Sequence, residues 1–295
     1  MQAPRTSSAA ALDPPPVAWD GLSLDHFPEL KLAAAERLGE TEEKVATSLL
    51  ELRIALGKLP LEDQPADMSD AYLLRFLRAR KFRVEQARDV VRNAAAFERE
   101  HPQWFKDLKG EEFRALYESG FMRVLQRRDK GGRRVSILLP TKMPGPELLN
   151  GDTMMRWNVW ALGRMAKDPY FCVLGASVLE TFDGFSFRQA MAMNSNLPSG
   201  VMRKNFHYVQ HCAAYRLGAI VVIRQPTYMS FMWAIVRPFM SVKMRSRVYM
   251  LGNDLQKLHT EVMDPADLPP EFGGTSTEDP MAWFEEQLAL EARGL

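Results

Sequence analysis

The chain has 295 residues, of which 46% are hydrophobic and 25% charged, the balance of an ordinary globular protein with one or two domains. No apolar run reaches the roughly 18 residues that a membrane-spanning helix needs, and the N-terminus lacks the charged-then-apolar order of a secretory signal. Cys172 and Cys212 are too few for a disulfide framework, so we expect a reduced, cytoplasmic protein in which neither thiol is functional.

The first region in chain order is predicted to be helical. Residues 1–28, rich in Ala, Ser and Pro, predict a disordered tail, and a helical domain follows at 29–110. Thr41 and Ser69 are candidate N-caps, and a further helix is expected at 84–99. The basic stretch "RFLRARKFR" lies on the helix after Ser69 and its exit, where it is either a solvated face or a phosphate-binding one.

The second region, 111–275, alternates strands with helices. "MRVLQRRDKGGRRVSILLP" predicts a hairpin, and strands are expected in "YFCVLGASVLETFD", interrupted near Gly175, in "GAIVVIRQP" and in "RVYML". "MMRWNVWALGRMA" and "SGVMRKNFHYVQHCAA" predict helices, the second with Ser199 as its cap. This order predicts an α/β domain with a mostly parallel sheet, followed by a C-terminal helix within 276–295.

Charge is distributed unevenly along the second region. Between Gly184 and Asn253 the sequence has no Asp or Glu, nine basic residues and eight of the 17 methionines. A block that is both basic and rich in Met suits a partner that is anionic in one part and apolar in another, as a phospholipid surface is. The ordinary alternative is a core whose acidic residues lie elsewhere in the chain.

The segment 228–250 concentrates both properties. Pro238 should bend its helix, and Lys243 and Arg247 stand one turn apart beyond the bend. The apolar residues at helical spacing are Tyr228, Phe231, Met232, Ile235, Phe239 and Met240. The segment is therefore either a core helix or a movable lid over an apolar cavity. In the second case Lys243 and Arg247 would contact anionic lipid.

Catalytic motifs are missing from the sequence. There is no phosphate-binding glycine loop, no G-x-S-x-G elbow and no H-E-x-x-H. His207 and His211 share a helix face without a third ligand nearby in sequence, and Glu180 and Asp183 have no accompanying nucleophile. We therefore expect neither an enzyme nor a metal or cofactor site, and no nucleic-acid-binding module is evident.

Several stretches in the expected order resemble the CRAL-TRIO lipid-binding family. They are "YLLRFLRARKFRVEQA", "RVLQRRDKGGRRVSIL", "VIRQPTYMSFMWAIVRPFMSVKMRSRV" and "LPPEFGG", within residues 45–275. The resemblance is greatest to the branch that contains tocopherol-transfer, retinaldehyde-binding and clavesin proteins. One departure is "ETFDG", where the family usually has Asp-Leu-x-Gly and this chain has Thr181 at the first position.

The resemblance implies a helical domain followed by an α/β domain whose sheet floors a lipid cavity, closed by a gate helix at 226–240. It places a cleft that binds phosphoinositide head groups on Arg80, Arg216, Lys243 and Arg247, while Gly218 stands where that cleft has a further basic residue, so head-group binding could be weaker or altered. Candidate cavity residues are Phe185, Phe187, Met191, Met193, Tyr208, Ile220, Val222, Met232, Ile235 and Phe239. For each of them, ordinary core packing is the alternative to ligand contact.

The function expected from the residues and the resemblance together is lipid binding and transfer between membranes. The ligand would be an isoprenoid- or retinoid-like hydrophobe of the tocopherol, retinoid or carotenoid class, and the protein a monomer that associates peripherally with phosphoinositide membranes. The alternatives are a phosphatidylinositol or phospholipid exchanger, and a scaffold or small-GTPase regulatory module.

Overall fold

The computed structural model describes residues 19–295, apart from the side chains of Asn194, Ser230, Phe231, Met232 and Ile235. Of the tail predicted at 1–28, residues 1–18 lie outside the described residues. Residues 19–27, which the sequence also assigned to the tail, pack on the helical domain, because Leu24 is buried in its core and Trp19 lies over the Arg78 guanidinium.

The N-terminal part is helical, as predicted. Thr41 and Ser69 are N-caps, since their hydroxyls accept from the backbone N–H groups of Lys44 and Tyr72. The helices that precede the sheet are α1 (Pro28–Leu38), α2 (Glu42–Gly57), α3 (Asp70–Ala79), α4 (Val84–Glu100) and α5 (Arg114–Glu118).

A five-stranded sheet in the order β1-β2-β3-β4-β5 forms the second part. The first two strands form the predicted antiparallel hairpin, and the other neighbouring pairs are parallel. The strands are β1 (Met122–Arg128), β2 (Arg134–Leu138), β3 (Ala176–Thr181), β4 (Leu217–Ile223) and β5 (Val248–Gly252). The remaining α-helices are α6 (Gly151–Met165), α7 (Pro169–Leu174), α8 (Phe187–Asn196), α9 (Ser199–His207), α10 (Met229–Val236), α11 (Val242–Arg245), α12 (Leu255–Lys257) and α13 (Ala282–Ala292). The predicted α/β class is confirmed.

Two local expectations are wrong. The first half of "YFCVLGASVLETFD" forms α7 rather than a strand, because Asp168 caps the Tyr170 N–H and Pro169 has the backbone angle of a first helical residue. The carboxylate of Asp168 also pairs with Arg128 and Arg134, which hold its pKa at about 2 despite burial. Ser199 is not a cap, since α9 begins after Pro198 and no side chain caps it.

The gate segment, which we define as residues 228–240, changes conformation near Pro238. The α-helix α10 ends at Val236, and Arg237–Phe239 form a tighter single turn. Pro238 has no N–H to continue α-helical hydrogen bonding, so the predicted bend is an end of the α-helix.

Candidate functional site

The two faces of the sheet are packed differently. The back face, which carries Val135, Ile137, Leu179, Val221 and Ile223, is fully buried in one cluster with α12 and the segment after it. The front face is only partly buried at most positions, which are Ser136, Leu138, Val178, Glu180, Ile220 and Val248. Since these residues are neighbours in the parallel register, protein side chains leave a continuous strip of the front face incompletely filled.

The gate segment lies over this front face. Met229 is buried with Val222 of the sheet. Trp233, Val236 and Ile220 of the sheet all pack against the neighbouring buried cluster. The Tyr228 hydroxyl donates a hydrogen bond to the Phe185 carbonyl at the start of α10. An apolar helix therefore covers a mostly apolar, underfilled sheet face that carries a few polar side chains, the arrangement typical of a lipid cavity.

Four of the predicted cavity residues meet in one place. Phe185 and Val222 are buried in the same cluster beneath Met229, and Met193 and Ile220 pack against it. Phe239 lies further along the gate segment, where it stacks on Phe206 with ring centres 6.5 Å apart. The side chains of Met232 and Ile235 lie outside the described part of the chain, and their lining role stays a prediction.

Three predicted cavity residues lie away from this cluster. Tyr208 is buried against Phe97 of α4, with ring centres 5.3 Å apart, in the core shared with the helical domain. Phe187 and Met191 are on the outer surface of α8, with 55% and 53% of their area exposed. Phe187 contacts Tyr228 edge-on at 5.8 Å, so these exposed apolar residues flank the gate segment.

Glu180 is a floor residue that the sequence did not assign to the cavity. It lies on β3 between Leu138 and Val222 of the adjoining strands, and no described side chain or backbone group forms a hydrogen bond or ion pair with its carboxylate. Burial raises the pKa of Glu180 to about 7. Asp183, considered with it as an acid pair, instead binds Arg224 at 2.8 Å on the surface. The sequence did contain a signal for Glu180: it is an acidic residue in an otherwise apolar predicted strand.

The four predicted head-group cations lie in one cluster. Burial and the charges of Arg247 and Arg80 lower the pKa of Lys243, while burial and several arginines, Arg247 among them, lower that of Arg216 to about 10. Among the described residues, none of the four forms an ion pair with an acid. Positive charge is therefore crowded without compensation beside the gate segment, which favours binding of an anion.

The cluster is larger than the sequence indicated. Arg83 and Lys81 also lower the pKa of Lys243, and Arg37 and Arg133 lower that of Arg216. Lys81 and Phe82 both have left-handed backbone angles, with φ of 54° and 57°, and this turn buries Phe82 while Lys81 stays exposed. We call these eight residues the cationic cleft: Arg37, Arg80, Lys81, Arg83, Arg133, Arg216, Lys243 and Arg247.

The cationic cleft is connected to the end of the gate segment through Gln210. The Arg80 guanidinium donates to the Gln210 carbonyl at 3.1 Å. The Gln210 side chain donates to the Phe239 carbonyl at 2.8 Å and accepts from the Ser241 N–H at 2.7 Å. One residue thus links the helical domain, the cleft and the gate segment.

Other candidate sites have less support. A polar cleft of about 480 Å³ lies between the hairpin and α13, but it contains none of the predicted lipid or head-group residues. His207 and His211 have ring centres 5.3 Å apart, and the described residues hold no group of three potential metal ligands. The described helices include none that is long and apolar enough to cross a bilayer.

Comparison with known proteins places this architecture in a family. A helical domain followed by an α/β domain with an underfilled apolar floor defines a binding protein of the lipid-cavity type. The model for the CRAL/TRIO domain matches residues 118–274, and that for the CRAL/TRIO N-terminal domain matches 24–93. The chain belongs to the CRAL/TRIO family, which confirms the resemblance seen in the sequence.

Several relatives define the similarity further. Clavesin-1 of Xenopus laevis is 32% identical over 209 residues, 70% of this chain and 61% of that protein. The human protein named Alpha-tocopherol transfer protein-like is 29% identical over 280 residues, 94% of this chain and 80% of its own length. The crystal structure of Sfh5 has the same fold, with a TM-score of 0.52 at 13% identity, covering 92% of this chain and 99% of that one.

Proposed function

We propose that the protein binds an isoprenoid- or retinoid-like lipid between the sheet and the gate segment and transfers it between membranes. The observation that carries the proposal is the position of an underfilled, mostly apolar floor beneath an apolar gate segment, next to a cationic cleft. Among the described residues of that cleft, only Arg133 forms an ion pair with an acid. The name of the tocopherol-transfer-like relative supports the ligand class.

Binding of the lipid would be non-covalent and driven by burial of its apolar area. Each square ångström of apolar surface removed from water contributes about 25 cal/mol. A long isoprenoid chain can therefore bind tightly without forming a covalent bond to the protein. Glu180 is a polar group on the floor that can orient a ligand, since a few polar groups in an apolar site fix the pose.

Docking on an anionic membrane would use both surfaces that flank the gate segment. Each cation near an anionic leaflet contributes about 1 kcal/mol and acts within a Debye length. Phe187 and Met191 on one side, and Val242 next to Lys243 on the other, supply exposed apolar contacts. The proposed membrane component is a phosphoinositide, whose phosphate groups suit a cluster of arginines.

The first test is mass spectrometry of organic extracts from the purified protein. We expect one isoprenoid or retinoid-like compound at close to one molecule per chain. A bound phospholipid would instead support the exchanger function, and an empty protein with no affinity for isoprenoids would contradict the proposal.

The second test separates docking from ligand binding. We predict that Lys243→Ala with Arg247→Ala weakens binding to phosphoinositide vesicles by about 10-fold or more, since two cations are lost, and slows lipid transfer. Affinity for a fluorescent isoprenoid should be nearly unchanged, because the cleft does not line the floor. Vesicle binding by the unmodified protein should also weaken as salt is raised.

The matched control is Lys106→Ala with Lys109→Ala, which makes the same change in net charge at exposed positions of the helical domain. This control should bind vesicles normally. Equal loss of lipid and vesicle affinity in the Lys243 and Arg247 variant would show that these residues support the fold instead.

A further inference from the structure

The topology of the sheet brings three arginines to one edge. The residue that immediately precedes a parallel strand is Arg133 at β2, Arg216 at β4 and Arg247 at β5. Because these strands run in the same direction, their beginnings lie along the same edge of the sheet. Gly175 precedes the intervening strand β3, so no side chain from that position separates Arg133 from Arg216.

Arg133 reaches across the edge as far as β4. A Cβ atom placed on Gly218 would collide with the Arg133 Cδ and lie 2.6 Å from its Nε and 3.0 Å from its Cζ. The guanidinium therefore rests against the bare backbone of Gly218, and a larger residue there would displace it. The Arg133 side chain can therefore lie where it does only because residue 218 has no side chain.

The hairpin turn holds Arg133 in place but leaves some of its hydrogen-bond donors unpaired. Asp129, buried in the turn, accepts the Arg133 N–H at 2.9 Å and its Nη1 at 3.3 Å, and also accepts from Ser177. Among the groups that the structure describes, none is a hydrogen-bond partner of the Arg133 Nε or Nη2. The neighbouring Arg216 has a buried Nη1 that also lacks one.

Excess positive charge surrounds these unpaired donors. Arg37, which donates to the Gly131 carbonyl at 3.4 Å, brings a further cation to the hairpin turn. The charges of Arg37, Arg247 and Arg133 all act on Arg216, whereas Asp129 is the only acid that these contacts bring to Arg133. Unpaired N–H donors of planar guanidinium groups are the kind of group that recognises phosphate oxygens.

We propose that Arg133 is a head-group ligand, and that it holds a phosphate group of a membrane phosphoinositide together with Arg216. This inference rests on the docking function proposed above and adds a binding element from the hairpin, which the sequence did not indicate. Arg133, which precedes β2, then supplies a positive charge next to Gly218 of β4, where the sequence has no basic side chain.

The test measures binding to phosphatidylcholine vesicles that contain phosphatidylinositol bisphosphate. Arg133→Ala should bind about fivefold more weakly, the loss expected for one cation near an anionic surface. Arg133→Ala with Gly218→Lys should recover most of that loss, because the cation returns to the same edge and nothing obstructs residue 218. Gly218→Lys alone should bring no such gain, since the new side chain displaces Arg133.

Three comparisons make the result specific. Arg127→Ala removes an arginine from the same hairpin, one paired with Asp267, and should bind as the unmodified protein does. Arg133→Gln keeps a side-chain amide that can donate to Asp129, and it should bind vesicles as weakly as Arg133→Ala. It replaces the alanine variant if that variant does not fold. Soluble inositol trisphosphate should compete with vesicles for the unmodified protein and more weakly for Arg133→Ala.

The outcomes distinguish this inference from the proposed function. Normal vesicle binding by Arg133→Ala, with weak binding by the Lys243 and Arg247 variant, would overturn the role of Arg133 alone. Normal binding by both would overturn docking itself. Competition by inorganic phosphate as effective as that by inositol trisphosphate would show an anion site without head-group recognition, and would also contradict the inference.

Discussion

Glu180 places a carboxyl group on the floor of the sheet and gives the protein a measurable pH dependence. Its pKa is about 7 in the folded protein and close to 4.5 in the unfolded chain, so the folded protein binds more protons between these values. Stability should therefore fall as pH rises from about 4.5 to 7, by up to about 3 kcal/mol. Glu180→Gln should remove this part of the pH dependence, as measured by urea unfolding across that range.

Asp183→Asn is the comparison for Glu180, because it neutralises a nearby surface acid that is paired with Arg224. This variant should keep the decline in stability with pH. The same decline in Glu180→Gln would show that the carboxyl group is hydrated in the folded protein.

The two cysteines are expected to be unreactive. Burial raises the pKa of each thiol to about 12, so the nucleophilic thiolate is scarce at neutral pH. We predict that iodoacetamide labels neither thiol in the folded protein at pH 8 and labels both in urea. Cys172→Ala with Cys212→Ser should bind and transfer lipid normally, and impaired transfer by a folded variant would contradict this.

At the scale of elements, Gln210 clamps the end of the gate segment. Gln210→Ala removes the two hydrogen bonds to Phe239 and Ser241, each of which contributes about 1 kcal/mol. We predict that a fluorescent isoprenoid dissociates about 10-fold faster from this variant. The exposed Gln256→Ala is the control, and equal dissociation rates in both variants would show that the clamp does not hold the gate segment.

A buried ion pair joins α3 to the loop between α1 and α2. The Arg78 side chain is only 1% exposed, and it binds Glu40 at 2.6 Å and the carbonyl groups of Gly21 and Leu22. Glu40→Ala would leave this charge buried without its counter-ion, and we predict a loss of about 3–5 kcal/mol in unfolding free energy. Asp25→Ala breaks the exposed pair with Lys31 and should leave the melting temperature unchanged.

Local signals allowed much of the fold to be predicted, whereas contacts between distant segments could not be. The caps at Thr41 and Ser69 act within one helical turn, so the sequence shows them directly. The apolar run of α7 has the composition of a strand, whereas the Asp168 cap and Pro169 at its start favour a helix. The Arg133 contact with Gly218 depends on strand order, which residue patterns do not show.

The extent of the candidate site was also only partly predictable. Arg80, Arg216, Lys243 and Arg247 lie in one cluster, and their head-group role stays a prediction, while Arg37 joins them from a helix far away in the chain. Apolar residues were harder to assign, since Phe187, Met191 and Phe185 belong to one short stretch and have the same chemistry. Only their packing separates the buried Phe185 from the two exposed residues.

At the scale of the whole molecule, two buried clusters join the helical domain to the α/β domain. Tyr170, Val173 and Leu174 of α7 lie in the core of the helical domain, and Phe97 of α4 packs with Tyr208. We therefore predict one cooperative unfolding transition, with coincident curves from circular dichroism and tryptophan fluorescence. Two separate transitions would show that the domains unfold independently.

The methionines beside the gate segment have a consequence for oxidative stress. Met191 on α8 and Met250 at the sheet edge are 53% and 42% exposed, whereas Met229, Met240 and Met244 are buried. Peroxide converts methionine to a polar sulfoxide, and exposed side chains react first. A protein that docks through Met191 would therefore lose apolar membrane contact on oxidation while its fold persists. Peptide mass spectrometry after mild peroxide treatment should find sulfoxide at Met191 and Met250 before it appears at the buried Met229, Met240 and Met244. Vesicle binding should weaken at the same stage, and methionine sulfoxide reductases should restore it.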